Sequence, residues 1–147
     1  MSNTRHFQKL EKMYLSAEIN TRIFPGTEIK IEEGRAEISF EVTHDYHHAC
    51  KGIPGAVYFK LLDDAAFFAV QSRIETQFIL TSSFQINFLK SIRSGKITAI
   101  GHIKSESKNL FFGESKLYDE AGREVAFGTG SFVKSEVELS EKIGYKL

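Results

Sequence analysis

Hydrophobic and polar positions change their period along the chain, and the changes mark its elements. Residues 4–17 place Phe7, Leu10, Tyr14 and Ala17 at helical spacing. The stripe is narrow and predicts a short amphipathic helix on the outside of the domain, with Thr4 as its cap. Pro25-Gly26 is a turn signal, after which residues 28–32 and 35–42 alternate around Glu33-Gly34 and predict a β-hairpin. Ile38, Phe40 and Val42 share its inner face. From 54 to 73 the pattern becomes apolar nearly all round, which predicts a long helix buried on more than one side. Alternation then returns over 78–90, 96–106, 109–118 and 123–133, with Leu80, Phe84, Ile86 and Phe88 expected on one face of the first of these strands. Gly101, Gly113, Gly128 and Gly130 inside them predict bulges or close packing. Residues 134–147 read as a polar tail that frays or forms a short surface helix.

The order is helix, hairpin, long helix, then antiparallel strands, and no internal repeat or dividing linker interrupts it. This predicts one α+β domain over 1–147, a curved antiparallel sheet against one central helix. A single sheet covers only part of a helix that is apolar all round, so a second subunit is the expected cover for the rest.

Composition narrows the function classes. With 147 residues the chain can bury a real core, and 13 Phe against no Trp make that core rich in phenyl rings. Lys+Arg and Asp+Glu each total 19, so the basic footprint of a nucleic-acid binder is missing. A net charge of zero gives little repulsion between copies, which suits self-association. No apolar run is long and uncharged enough to span a membrane. A single cysteine, Cys50, rules out an internal disulfide, and the first residues lack a secretory pattern; both point to the cytoplasm.

Candidate chemistry concentrates between His47 and Arg73. Pro54 suits the first position of the helix, and Gly55 after it offers a backbone N–H with no side chain to screen it. Unpaired N–H groups in a first turn hold anions or polarise a carbonyl gaining negative charge; the plain alternative is a tidy helix start. Further along the helix stand Asp63 and Asp64. Asp64 lies four residues beyond Lys60 and is expected to pair with it on an exposed strip. Asp63 has Phe59 and Phe67 a turn either side, the setting of a buried carboxylate with a raised pKa, fit for a general base or nucleophile. Asp63 lies roughly 13 Å along the axis from Pro54 and, after roughly 900° of rotation, on the opposite side of the helix. One chain therefore cannot bring Gly55 and Asp63 to the same carbonyl; two chains meeting across a two-fold axis can.

These residues resemble a known family. The run G-I-P-G-A-V-Y-F-K-L-L-D-D-A, Gly52 to Ala65, is similar to the helix-start signature of hotdog-fold acyl-CoA thioesterases, in particular the phenylacetate-degradation branch. Thr81 to Lys90 and Asp119 to Phe132 resemble that family's next strand and last hairpin. The resemblance covers about residues 28–134 and implies a hotdog fold, with the sheet wrapped round the helix and sheet edges joined in a homodimer or a dimer of dimers. It implies an acyl-CoA thioester as substrate, CoA entering only as part of it, and no metal or other cofactor. Gly55 falls on the glycine whose N–H polarises the thioester carbonyl. Asp63 falls on the base or nucleophile from the facing subunit. His48 falls where many relatives have an asparagine that holds water or substrate, and Thr81 near an assisting strand hydroxyl. Pro54 and Ala56, flanking Gly55, are expected to line the substrate path, and Lys90 and Arg93 to meet the CoA phosphates.

The match departs at two positions. Pro54 stands where relatives usually have a histidine, and Ala56 replaces a second glycine. The alternative function is therefore an acyl-CoA or acyl-lipid binding module without turnover. A hydroxyacyl dehydratase, which shares the fold, needs a histidine and a glutamate where this chain has Tyr46 and Lys60. His44, Asp45, His47, His48 and Cys50 are all metal-ligand types, but no second cluster completes a set, and a polar loop at an active-site mouth is the expected reading.

Overall fold

The structure, a computed structural model, describes residues 3–147. Helix α1 spans Thr4–Ser16 and a π-helical turn Ile19–Ile23 follows it. Its cap is Asn3, whose side chain accepts the His6 N–H at 3.2 Å, one position before the expected Thr4. Strands β1 (Glu28–Glu32) and β2 (Arg35–Val42) form the expected hairpin, with Gly34 turning it at φ +72°. Helix α2 runs Gly55–Gln71, and β3 (Gln77–Phe88), β4 (Gly95–Glu106), β5 (Phe111–Tyr118) and β6 (Glu124–Glu138) follow, with short helical turns at His44–Tyr46 and Glu141–Ile143. The strands make one antiparallel sheet in the order β1-β2-β4-β5-β6-β3.

The sheet closes around α2, with Leu61, Leu62, Ala65, Ala66, Ala69 and Val70 all fully or almost fully buried. Each leucine withdrawn in this way contributes about 1.5–3 kcal/mol. Small residues bring the helix very near the sheet. A Cβ on Gly101 of β4 would lie 2.3 Å from the Ala65 carbonyl oxygen, so only glycine fits there. Gln71, fully buried, ties the end of α2 to β3: its side-chain amide donates to Ile74 O and Gln77 O, and accepts the Ile79 N–H.

Three expectations need correction. The N-terminal helix keeps a polar face outward, but its inner face is broader than the expected stripe: His6, Phe7, Leu10, Met13 and Tyr14 are buried, and Tyr14 packs on Phe68 of α2 at 5.0 Å between ring centres. It supplies part of the cover expected from a second subunit. The first part of the tail is strand, since β6 continues to Glu138 and pairs there with Gln77 of β3, and a short helical turn, Glu141–Ile143, follows it. Beyond it, the Tyr145 hydroxyl donates to Nδ1 of buried His6 at 2.7 Å, while His6 Nε2–H donates to Gln71 O at 3.0 Å. Burial holds the His6 pKa below its usual value, which favours this neutral ring. Leu80, finally, does not share a face with Phe84. Partners shift from Thr81↔Phe132 to Ser83↔Ser131, so Ser82 is an extra residue that reverses the alternation, and Leu80 is 50% exposed.

Candidate active site

Strand β3 runs antiparallel along α2, and contacts between them reach from the helix start to Phe67, past Asp63. The Phe88 ring lies over the helix start, 5.1 Å from the Tyr58 ring; Phe84 meets Phe59 at 5.3 Å; Thr81 meets Asp63; and Phe78 meets Phe67 at 5.3 Å. The bulge at Ser82 is what turns Thr81 toward the helix on the same side as Phe84. The Thr81 hydroxyl donates to Asp63 Oδ1 at 2.8 Å.

Asp63 is half-buried, and desolvation raises its pKa from 3.8 to about 6. The Thr81 hydrogen bond opposes this rise, neighbouring Asp64 adds to it, and Lys60 opposes it. Asp64 has a different setting. Its Oδ2 accepts from the Tyr14 hydroxyl at 2.7 Å and from Lys60 Nζ at 2.9 Å. Lys60 spends its other protons on the Tyr14 hydroxyl at 3.0 Å and Asn20 Oδ1 at 2.8 Å, and lies 4.7 Å from the centre of the Phe24 ring. The expected Lys60–Asp64 pair is therefore present, but sheltered: the two side chains are only 12% and 23% exposed beneath α1 and the π-turn. Tyr14 and Asn20 are not legible in the sequence as members of this network, because nothing local connects them to Lys60.

The helix start is built separately. Pro54, expected as the first helical residue, is instead the N-cap, and its carbonyl accepts the Val57 N–H at 3.0 Å. The N–H groups of Gly55 and Ala56 have no partner among the described residues. A Cβ at Gly55 would meet Phe88 at 3.0 Å, so the glycine admits the ring as well as exposing its N–H. His48 turns back on Gly52: its N–H donates to Gly52 O at 2.8 Å, and its Nδ1 accepts the Cys50 N–H at 3.0 Å. Lys51 in this turn takes φ +64°, a left-handed conformation unusual for a residue with a Cβ. Three bonds fasten the loop and helix start to residues 90–93: His47 Nε2–H to Arg93 O at 2.7 Å, Ile53 N–H to Ile92 O at 2.9 Å, and the Tyr58 hydroxyl to Lys90 O at 2.8 Å.

Two clefts result. His48, Pro54, Gly55 and Lys90 line one of about 410 Å³ together with Phe88. Asp63 and Thr81 line another of about 650 Å³, whose walls come from the end of α1, the π-turn, α2, β3 and the end of β6. Ala56 and Arg93 line neither, although both are exposed near the first. Within one chain Gly55 and Asp63 do not meet, as the helical geometry required. Among the described residues no three His, Cys, Asp or Glu side chains converge as a metal set would.

An antiparallel sheet closed on one long helix that carries a half-buried carboxylate is the hotdog architecture. Residues 53–126, half of the chain, match the family model described as the thioesterase superfamily, and the chain belongs to that family. The fold is similar to that of the E. coli PaaI protein from the phenylacetic acid degradation operon, with a TM-score of 0.82 at 19% identity over 93% of this chain and 98% of that one. It is also similar to a thioesterase of Haemophilus influenzae, with a TM-score of 0.75 at 18% identity over 86% and 88% of the two chains. A protein of Sulfurisphaera tokodaii, provisionally named an esterase, is 27% identical over 101 residues, 69% of this chain and 75% of its own. No helix among the described residues is long and apolar enough to cross a membrane.

Proposed function

We propose that this thioesterase-superfamily protein hydrolyses an acyl-CoA thioester at a site shared by two subunits. The observation that carries the reading is Asp63: a carboxylate held half-buried by Thr81 in an apolar cleft, with a pKa of about 6. Such a group is ionised at neutral pH yet basic enough to accept a proton. Water attacks the thioester carbonyl while Asp63 takes its proton, or the carboxylate attacks first and water then cleaves the acyl adduct. Carbonyl oxygen becomes an oxyanion beside the free Gly55 N–H of the other chain, at the positive end of α2. The C–S bond then breaks and the departing thiolate is protonated. His48, against the helix start, is suited to holding the water or the thioester, and Lys90 to meeting CoA phosphate. The chemistry calls on no metal.

Dimer formation is supported by β3. It is an edge of the sheet, twelve residues long, and Gln77–Phe88 contains neither a charge nor a proline to deter pairing. Phe59 and Phe88 beside it are 39% and 53% exposed. Pairing of two such edges would carry Asp63 of one chain toward Gly55 of its partner. A binding module without turnover is the weaker reading, because a buried carboxylate costs affinity for an apolar acyl group and serves no purpose in holding one.

The test mixes two inactive variants. Asp63→Asn and Gly55→Val should each abolish acyl-CoA hydrolysis, and refolding them together should restore about a quarter of wild-type activity, since half of the random dimers keep one intact site. Absence of recovery, with both variants folded and dimeric, would refute a site built from Asp63 of one chain and Gly55 of the other. Tight acyl-CoA binding by the wild type without turnover would establish the binder instead.

A further inference from the structure

The cleft beside Asp63 carries information about the acyl group. This inference rests on the thioesterase reading and concerns the substrate class that the same site accepts. Three apolar side chains on the rim, Ile19, Leu80 and Val137, are 45%, 50% and 49% exposed, and Phe67 and Ala17 line the space between them. They come from the π-turn, β3, β6, α2 and the end of α1, so the chain's own N-terminal segment builds one wall. Apolar groups drawn from five elements around one carboxylate make a pocket for something apolar joined to the reacting atom.

The polar groups in the walls are committed to one another. All three Lys60 protons are used, on Asp64, Tyr14 and Asn20. The Tyr14 hydroxyl donates to Asp64, the Thr81 hydroxyl to Asp63, and the Ser135 hydroxyl to the Phe78 carbonyl. Two carboxylates therefore face one cation, and the only side-chain donor left in these walls is the second N–H of the Asn20 amide, whose residue is buried and whose first N–H is held by Tyr14 O. An acyl group ending in a carboxylate would carry that charge past Asp63 among Met13, Ile19, Phe67, Phe78 and Leu80, where no free cation meets it. A hydrocarbon chain meets no such penalty.

We infer that the cleft between α1, the π-turn and α2 takes an uncharged hydrocarbon acyl group, excludes acyl groups with a terminal carboxylate, and draws its length preference from residues 13–20. Ala17 is the position to probe, because it is exposed, lies past the end of α1 and lines the cleft. Decanoyl-CoA and its counterpart bearing a terminal carboxylate should differ in kcat/KM by about a hundredfold in favour of the hydrocarbon. Across butyryl, hexanoyl, octanoyl and decanoyl-CoA, kcat/KM should rise by up to about fourfold per methylene. Ala17→Phe, with its melting temperature checked against wild type, should lower the decanoyl-to-butyryl ratio by about tenfold.

Equal turnover of the two ten-carbon substrates, or a length ratio that Ala17→Phe leaves unmoved, would overturn the inference and leave hydrolysis itself standing. Should no acyl-CoA be hydrolysed, the thioesterase reading fails separately. Calorimetric binding of hydrolysis-resistant ketone analogues of decanoyl-CoA and of its terminal-carboxylate counterpart then decides the pocket. Preference for the first, weakened by Ala17→Phe, supports it; no preference refutes it.

Discussion

Replacing Asp63 with asparagine should remove activity and stabilise the fold, and the two effects have one cause. Burial raises the Asp63 pKa from 3.8 to about 6, against the Thr81 hydrogen bond that favours the ionised form. The folded chain therefore holds this proton more tightly than the unfolded chain. Below pH 4 the group is protonated in both states and contributes nothing to the difference. Between pH 4 and 6 the unfolded state releases the proton first, so wild-type stability falls as pH rises, and above about pH 6 the loss is complete. A carboxyl whose pKa rises from 3.8 to about 6 on folding loses about 3 kcal/mol once ionised. The carboxylate is partly open to the cleft, and solvent screening reduces the expected effect to about 1–2 kcal/mol. Asparagine is nearly isosteric and its Oδ1 still accepts the Thr81 proton, so the substitution removes only the charge. Urea unfolding of both proteins from pH 4 to 8 measures the difference. The variant should match wild type near pH 4 and exceed it by about 1–2 kcal/mol at pH 8, while kcat falls by about a hundredfold or more. A stability gap of the same size at both pH values would refute the assignment of a raised pKa to Asp63.

Other substitutions probe the surroundings of this carboxylate. Thr81→Val removes the hydroxyl that favours ionised Asp63, so the acid limb of the kcat/KM profile should move to higher pH, with a loss of about tenfold at pH 6. Lys60→Met leaves Asp64 without its cation beneath α1 and should cost about 2–4 kcal/mol in urea unfolding, most of it recovered by the double variant Lys60→Met/Asp64→Leu. Gly101→Ala sets a methyl group 2.3 Å from the Ala65 carbonyl oxygen, so α2 must move off β4; a loss of about 3 kcal/mol is expected in thermal or urea melts.

How far the sequence reveals the fold depends on whether each signal is local. The hairpin turned by Gly34, the long apolar helix and the four later strands are legible, because period and turn chemistry both mark them. So is the Lys60–Asp64 pair, which follows from a four-residue offset on one helix. Its shelter is not, since Tyr14 and Asn20 reach Lys60 across long stretches of chain bridged only by tertiary packing. The end of β6 is hidden for a related reason. Lys134, Glu136 and Glu138 read as a solvated tail, yet the strand they belong to pairs with β3 where the sheet extends beyond the core. Alternation puts Leu80 on the wrong face because a single unpaired residue, Ser82, leaves no trace in the pattern until the partner strand is known.

The same distinction explains why the candidate site is legible in its parts. Gly55 and Asp63 stand out because each conflicts with its surroundings: a bare N–H at a helix start and a carboxylate among phenylalanines. Helical geometry alone separates them, and the structure puts them in two clefts with no shared lining residue. Pro54, the main departure from the family's pattern, caps α2 and leaves the Gly55 N–H free. It removes an imidazole from the helix start while keeping the donor that an oxyanion needs. His48 lies in the same cleft as Gly55, with its Nδ1 already accepting from Cys50 and its Nε2 without a protein partner among the described residues. Loss of the histidine at 54 thus leaves one imidazole nitrogen at this helix start. In the hydrolysis proposed above, polarisation of the thioester would fall on the Gly55 N–H, aided by the dipole of α2 and, through that nitrogen, by His48.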